Sequence, residues 1–293
     1  MASCSSPHHY RLQINPNDNT SSSSLVAVDH QAYFTTECSS QMCLPVNGLV
    51  CRQEQRRKKS VAVIYNPSMG ETLTLPEGKT ERTEKRINFI GYDPIGKQLK
   101  VLSMTWYPFN IYNVPQEHRV MTLGNGKLLW REIVFCMPHY PLDDGICING
   151  VLYYQAAINS GSMVSMIVCF DVRSEELSFI GIDEGGMFKN ASCTYTLINY
   201  KGKLGVVKME HLELWVLEDI RKHNWSKHDY KLPSLYGIVG MTVTCDIVFS
   251  PYFLSDPFYF YYYNLERETF TRIEIQGFKE FVQCRVYTFL DYV

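Results

Sequence analysis

The chain contains no apolar run long enough to cross a membrane as a helix. Such a helix needs about 20 consecutive apolar residues, and the nearest match, residues 238–249, is shorter and includes Asp246. A strong charge of one sign is also missing, because the formal net charge is only −2. A nearly neutral chain gives no electrostatic reason to expect nucleic acid or an anionic membrane as a partner. We therefore expect neither.

The sequence also lacks the motifs of common catalytic sites. It has no G-x-S-x-G nucleophile elbow and no glycine-rich phosphate loop between a strand and a helix. Asp143 and Asp144 are adjacent in sequence. Because neighbouring residues of a strand point to opposite faces, these two would make a poor acid–base pair. We expect no catalytic residues and a protein that is not an enzyme.

Ten cysteines are present, but their spacing is not that of metal ligands. There is no C-x-x-C pair, and Cys38, Cys43 and Cys51 lack the usual ligand spacing. Cys51, Cys147 and Cys169 lie in apolar stretches, where a free thiol behaves as a small hydrophobic group. The first residues also lack a signal-peptide core. We expect free thiols, no metal or other cofactor, and a cytoplasmic or nuclear location.

A turn-forming polar residue follows an apolar strand at a nearly regular interval. The repeat includes Asn66, Asp171, Glu218 and Asn264, and its last two steps are 47 and 46 residues long. The first step, from 66 to 171, is 105 residues, which leaves room for one further repeat near Gly124. A period of about 40–50 residues made of short strands is typical of a β-propeller, in which each repeat is one blade.

Tight turns between the first and second strands of each repeat give a second, independent register. They fall at residues 48, 96, 150 and 202, with spacings of 48, 54 and 52. Asn47-Gly48 and Asn149-Gly150 are strong hairpin signals, because both residue types tolerate a positive φ. The two registers together predict an all-β chain, folded as a propeller whose blades contain short antiparallel strands.

Strand-like segments also occur at both ends of the chain, at residues 10–14, 24–29 and 285–293. Pairing the N- and C-terminal strands in one blade would close the ring and leave no open sheet edge. We therefore expect six blades, with the closing blade shared by the termini; five blades with a loose N-terminus are the alternative. We expect residues 1–23 to form a strand and a flexible Ser/Asn-rich loop, and 24–293 to form the propeller.

Several motifs in chain order resemble the plant F-box-associated β-propeller domain, most closely its type 3 branch, in the F-box/kelch-like substrate-receptor family. These motifs are VNGLVC (46–51), YNPSMGE (65–71), GYDP (91–94), DGICINGVLYY (144–154), FDVRSE (170–175), ELWVLED (213–219) and YNLE (263–266). Members of this family usually carry a preceding F-box, which docks on a Skp-type adaptor of a ubiquitin ligase, while the propeller recruits the target. Residues 1–40 show no helical periodicity of an F-box.

The resemblance implies a non-enzymatic protein-interaction module, equivalent to the target-binding half of such ligase receptors. We expect a protein target as partner, and no docking to the Skp-type adaptor through this chain. Two alternatives stay open. The chain could act as a working ubiquitin-ligase receptor through an F-box that it does not contain, or as a propeller enzyme with a pocket on its axis.

Aromatic residues are concentrated in the connections between blades and between the second and third strands, which share one face of a propeller. Exposed aromatic side chains on a rigid scaffold suit a protein-binding surface. We expect Trp106, Tyr107, Phe109, Tyr140 and Tyr252 to contribute to a partner site. The alternative is that these rings fold back and cap the blades.

Overall fold

A computed structural model provides the structure of the chain. It describes residues 9–14, 24–30, 43–56, 59–66, 69–76, 85–106, 117–124, 126–133, 137–142, 144–159, 162–181, 195–208, 212–230, 236–242, 244–251 and 257–276. Every regular element within these ranges is a β-strand. The described residues therefore contain no helix that is long and apolar enough to cross a membrane. The strands form five sheets, four of which are wholly antiparallel. The all-β propeller arrangement predicted from the sequence is confirmed.

Blades 1 and 2 are formed by the first half of the propeller sequence. Blade 1 consists of β3 (Val50–Arg56), β4 (Lys59–Asn66) and β5 (Glu71–Thr74). Blade 2 consists of β6 (Lys85–Asp93), β7 (Gln98–Trp106), β8 (Glu117–Leu123) and β9 (Arg131–Glu132). Blade 1 begins with a hairpin in which Val46 bridges Leu49 across the predicted Asn-Gly turn.

Blades 3 and 4 follow in chain order. Blade 3 consists of β10 (Tyr140–Pro141), β11 (Ile146–Ile148), β12 (Val151–Asn159), β13 (Ser162–Asp171) and β14 (Leu177–Gly181). Blade 4 consists of β15 (Tyr195–Tyr200), β16 (Lys203–Lys208), β17 (Glu213–Asp219) and β18 (Asn224–Asp229). Both β10 and β11 pair with β12, so together they occupy the position of the first strand in blade 3.

Blade 5 combines strands from both ends of the chain. Its propeller strands are β19 (Tyr236–Met241), β20 (Asp246–Pro251), β21 (Phe258–Asn264) and β22 (Thr269–Gln276). An N-terminal hairpin of β1 (His9–Ile14) and β2 (Ser24–His30) extends the same sheet. Strand β2 pairs in parallel with β22, with Ser24 opposite Glu274 and Val26 opposite Gln276.

The expected count of six blades differs from the five sheets that the described residues form. The N-terminal strands do join a C-terminal strand, but they extend blade 5 instead of building a sixth blade. The physical reason is that the outer edge of β22 offers unpaired N–H and C=O groups, which an added strand satisfies. Segment 285–293, which was expected in the closing blade, lies outside the described residues. The division of the chain at residue 23 stays a prediction.

Successive blades pack face to face, and this explains why the central strands are apolar without interruption. On β13, Met166, Val168 and Phe170 belong to a buried cluster that spans blades 1–3. Ile167 and Cys169 point the other way, into a cluster shared by blades 3 and 4. A third cluster joins blades 4 and 5. Because alternate side chains of a strand leave opposite faces, a blade covered on both sides needs apolar residues at every position.

Two kinds of turn fix the strand register at one end of the blades. In the Asn47-Gly48, Asn149-Gly150 and Lys201-Gly202 hairpins, both turn residues have a positive φ, between 50° and 86°, as a tight hairpin requires. In the second kind, the Oδ1 atom of Asn66, Asp171, Asp219 or Asn264 accepts hydrogen bonds from backbone N–H groups two or three residues later. These side chains are the repeat seen in the sequence.

One member of the predicted repeat was wrong by one position. The side chain that closes the turn in blade 4 belongs to Asp219, which accepts from the N–H groups of Arg221 at 2.9 Å and Lys222 at 3.2 Å. The sequence pattern assigned this place to Glu218. The pairing of β17 with β18 shifts register between Leu217 and Asp219, which moves the turn residue one step along the chain.

Candidate protein-interaction surface

The two ends of the blades form two different faces of the propeller. The turn face carries the connections between first and second strands and between third and fourth strands, including residues 94–97, 149–150 and 220–223. The loop face carries the connections between second and third strands and between blades. Most loop-face connections lie outside the described residues. The largest described part is residues 137–142, between blades 2 and 3, which we call the β10 segment.

Most of the predicted site residues cannot be placed on either face from their side chains. Tyr107, Phe109 and Tyr252 lie outside the described residues. Trp106 is the last residue of β7, opposite Lys85, and its side chain is outside the described part. Tyr140 is described: it lies in β10 and is half-buried. The grouping of these five residues into one partner site therefore stays a prediction.

The β10 segment exposes apolar side chains on both sides of a buried anchor. Met137 is 38 % exposed and Leu142 is 55 % exposed, whereas His139 is only 1 % exposed. Pro138 is also exposed, and Tyr140 contributes a half-buried ring. Large apolar side chains that stay in water on a fixed backbone suit contact with another protein. The described part of the loop face therefore presents an apolar strip.

His139 fixes this strip through hydrogen bonds at both ring nitrogens. Nδ1 lies 2.8 Å from the carbonyl oxygen of Met137, and Nε2 lies 2.7 Å from the hydroxyl of Tyr154. Because a carbonyl can only accept, Nδ1 must carry the proton and donate it. Burial of the ring lowers the pKa of His139. The hydrogen bond to the Met137 carbonyl has the opposite effect and raises the pKa, but the effect of burial is larger. In the neutral ring, Nε2 accepts from the Tyr154 O–H.

The His139 ring also joins blades 2 and 3. It lies 4.7 Å from the ring of His118 in blade 2. On the blade 3 side it meets the edge of Phe179 at 5.7 Å and the ring of Tyr154 at 5.6 Å. Tyr154 is fully buried and stacks on Phe89 of blade 2 at 5.0 Å. A side chain so enclosed fixes the backbone of the β10 segment relative to two blades at once.

Backbone pairing adds to the rigidity of the β10 segment. Tyr140 pairs with Ala157 of β12, and the N–H of Leu142 donates to the carbonyl of Gln155 at 2.9 Å. The side-chain amide of Gln155 in turn donates to the carbonyl of Tyr195 at 3.1 Å, which ties blade 3 to blade 4. The exposed Met137 and Leu142 side chains are thus mounted on an ordered backbone. Such pre-organisation reduces the entropy that a partner must overcome on binding.

Almost the whole chain matches one known protein family. Residues 2–293 match the family model described as the F-box associated beta propeller domain. The chain belongs to this family. The resemblance predicted from the sequence motifs is therefore confirmed.

Known relatives of this F-box associated propeller are longer than the chain itself. It is 46 % identical to the F-box protein At1g53790 of Arabidopsis thaliana, over 99 % of the chain and 66 % of that relative. It is 44 % identical to the F-box protein DOR of the same plant, over 94 % of the chain and 74 % of the relative. Among solved structures, TolB from Acinetobacter baumannii covers 87 % of the chain with a TM-score of 0.47 and 10 % identity, over 59 % of its own length. That similarity is too weak to support an inference about function.

A second aromatic surface of the F-box associated propeller lies at the outer part of blade 5. Phe270 is 42 % exposed and stacks on Tyr261 at 5.4 Å. The guanidinium of Arg272 lies 4.7 Å above the ring of Tyr259. This group was not predicted from the sequence, although the alternation within the tyrosine-rich run 259–263 was a usable signal, since alternate residues of a strand share a face.

Metal-ligating residues are not grouped in the described part of the propeller. No set of three or more His, Cys, Asp or Glu side chains there is arranged to hold a metal ion. The five described cysteines, Cys43, Cys51, Cys147, Cys169 and Cys245, are free thiols in the structure.

Proposed function

We propose that this propeller is a non-enzymatic protein-interaction module that binds a target protein through its loop face. The observation that carries the proposal is the β10 segment, where exposed Met137 and Leu142 flank the buried anchor His139. A rigid apolar strip of this kind is typical of protein–protein contacts. Membership of the F-box associated family supports the same reading, because its relatives are F-box proteins.

The five aromatic residues predicted from the sequence extend this proposal beyond the β10 segment. In it, Trp106, Tyr107, Phe109, Tyr140 and Tyr252 supply further anchors for the target. Tyrosine and tryptophan are the side chains most often found at the energetic centre of protein interfaces. We further propose that the protein works in the cytoplasm, the nucleus or both.

A working ubiquitin-ligase receptor is the second candidate function. The observation that favours it is the length of the relatives: the chain spans 66 % of one F-box protein and 74 % of another. In this version of the function, an F-box outside the chain docks on a Skp-type adaptor, and the propeller holds the target. Copurification of the adaptor with the protein as it is expressed in its own cells is the measurement that separates this candidate from the first.

The loop-face proposal can be tested with two matched double variants. Met137→Ser with Leu142→Ser removes the apolar strip, while Ile95→Ser with Leu129→Ser removes two exposed apolar side chains, 71 % and 64 % exposed, from turn-face connections. Proximity labelling identifies partners of the wild type, and titration with each purified partner gives its affinity. Losing a central anchor costs about 2 kcal/mol, so we expect a roughly 30-fold weaker affinity for the first variant only.

The same titration can refute the proposal. Equal affinity of the wild type and of the variant at Met137 and Leu142 would show that the strip is not part of the interface. A loss confined to the variant at Ile95 and Leu129 would move the target to the turn face. Since none of the four side chains belongs to a buried cluster, neither variant is expected to unfold the propeller.

A further inference from the structure

Two cysteines face each other across the first hairpin of blade 1. The hairpin turns at Asn47-Gly48, and Val46 bridges Leu49 by two hydrogen bonds. Beyond this bridge, the N–H of Cys43 donates to the carbonyl of Cys51 at 2.9 Å. The N–H of Cys51 does not return to the Cys43 carbonyl but donates to its sulfur at 3.2 Å. The Cys43 sulfur therefore lies against the backbone nitrogen of Cys51.

This geometry is close to that of a disulfide. The 2.9 Å backbone contact and the 3.2 Å contact to the Cys43 sulfur hold the two residues side by side, and disulfides form when the Cα atoms are about 4.4–6.8 Å apart. The two thiols are also hydrogen bonded to each other. A covalent bond between them would therefore join two sulfurs that are already in contact.

Cys147 and Cys169 in blade 3 serve as a control, because they lie in one blade but too far apart to form a disulfide. Both are in strands of one sheet, but β12 runs between them: Cys147 lies opposite Leu152 and Cys169 opposite Tyr153. Two strand spacings amount to about 9.5 Å, which is beyond the reach of a disulfide. Proximity within the first hairpin, and not mere membership of a blade, therefore distinguishes Cys43 and Cys51.

We propose that Cys43 and Cys51 are a modification site that forms an intrachain disulfide, with a low-molecular-weight disulfide such as glutathione disulfide as the oxidant. One cysteine thiolate attacks glutathione disulfide and releases one glutathione thiolate. The second cysteine thiolate then displaces the other glutathione from the mixed disulfide. The two protein thiols lose two electrons, glutathione disulfide gains them, and the two thiol protons end on the two glutathione molecules.

Burial determines how this site reacts. Cys43 is 4 % exposed and Cys51 is 1 % exposed, within the cluster shared by blades 1–3. The hydrogen bond from Cys43, together with burial, raises the pKa of the Cys51 thiol well above its ordinary value. The thiolate, which is the reactive form, is therefore scarce in the closed hairpin. Oxidation proceeds from an opened hairpin, and reclosing then buries the disulfide.

Mass spectrometry can detect the disulfide directly. No Lys or Arg lies between Cys43 and Cys51, so one tryptic peptide, residues 12–52, carries both together with Cys38. We therefore use the full chain with Cys38→Ser, incubate it with glutathione disulfide, and alkylate the remaining thiols before digestion. The expected product is peptide 12–52 with two hydrogens lost and no alkyl group. Cys147 and Cys169 share another tryptic peptide, residues 132–173, with Cys136, and we expect this peptide with an alkyl group on each cysteine and no hydrogens lost.

Thermal unfolding gives an independent readout. Closing a loop of this length restricts the unfolded chain and raises the melting temperature by about 5 °C. The rise should vanish with dithiothreitol and be absent in the Cys51→Ser variant. Peptide 12–52 alkylated at both sites, or carrying glutathione on either cysteine, after an exposure that modifies the half-buried Cys147, would overturn the proposal. The mass measurement needs no cysteine variant at the site itself, so it holds even if Cys51→Ser folds poorly.

Discussion

Replacing Glu175 by glutamine is expected to weaken the junction between blades 2 and 3 by about 2–3 kcal/mol. The Glu175 carboxylate is 19 % exposed and accepts hydrogen bonds from both terminal nitrogens of Arg131, at 2.5 and 2.7 Å. It also pairs with the ammonium of Lys100 at 2.8 Å, and the Lys100 side chain is only 6 % exposed. The three side chains connect blade 3 to two strands of blade 2.

The expected magnitude follows from the different burial of the two cations. Arg131 is half exposed, and an exposed pair contributes at most about 1 kcal/mol. Lys100 is buried, and removing the partner of a buried charge costs about 3–5 kcal/mol. Glutamine keeps a neutral acceptor, and the Lys100 ammonium still donates to the carbonyl of Arg173 at 3.2 Å. These contacts reduce the loss to the lower figure.

Urea unfolding, followed by fluorescence, measures this difference against a matched control. Glu266→Gln removes a carboxylate whose pair with Lys201 is exposed on both sides, at 61 % and 50 %, so it should cost less than about 1 kcal/mol. The slope with urea should stay the same in all three proteins. If the Glu175 variant loses no more stability than the Glu266 variant, burial of Lys100 does not have the effect assigned to it.

The pH dependence of the Glu175 effect has a definite sign. Burial by itself raises the carboxyl pKa, but the hydrogen bonds and charges of Arg131 and Lys100 outweigh it and hold the pKa below the ordinary 4.5. A group with a lowered folded-state pKa stabilises the protein above its unfolded pKa, and this contribution is lost as pH falls through the folded value. The difference between wild type and variant should be constant near neutrality and shrink below about pH 4.5. A difference unchanged at lower pH would contradict this.

Two further predictions concern packing between blades 2 and 3. Tyr154→Phe removes the O–H that donates to Nε2 of His139 and should cost about 1 kcal/mol by thermal unfolding; an unchanged stability would show that this hydrogen bond does not hold the two side chains together. Gly91→Ala would place a Cβ 2.5 Å from the Cγ2 atom of fully buried Val172 and should cost about 1–3 kcal/mol. Gly181→Ala, where a Cβ meets nothing within 4 Å, is its control, and equal effects of the two would contradict the clash.

The parts of the fold that the sequence predicted correctly depend on local rules. Asn47-Gly48 and Asn149-Gly150 were identified as hairpin turns because two adjacent residues that tolerate positive φ define that turn by themselves. The period of the polar turn residues followed from the same local chemistry. These signals need no knowledge of what the turn contacts, so they could be recognised along one chain.

The parts that escaped prediction depend on contacts between distant segments. Ser24 lies opposite Glu274 in the sheet, and no periodicity along the chain reports such a pairing. His139 acts through His118 and Tyr154, which belong to two different blades. A histidine in an aromatic connection gives no sequence signal of burial. Only the tertiary structure reveals that it anchors the described part of the loop face.

The parallel pairing of β2 with β22 has a consequence for how the propeller can be connected to other domains. Because the N-terminal hairpin β1–β2 lies on the outer edge of blade 5, the described chain begins at the perimeter of the ring. A domain fused there would be carried beside the disc and would not sit over its axis. The site of attachment is thus separated from the β10 segment of blade 3, and a tethered neighbour and a bound target need not compete for space.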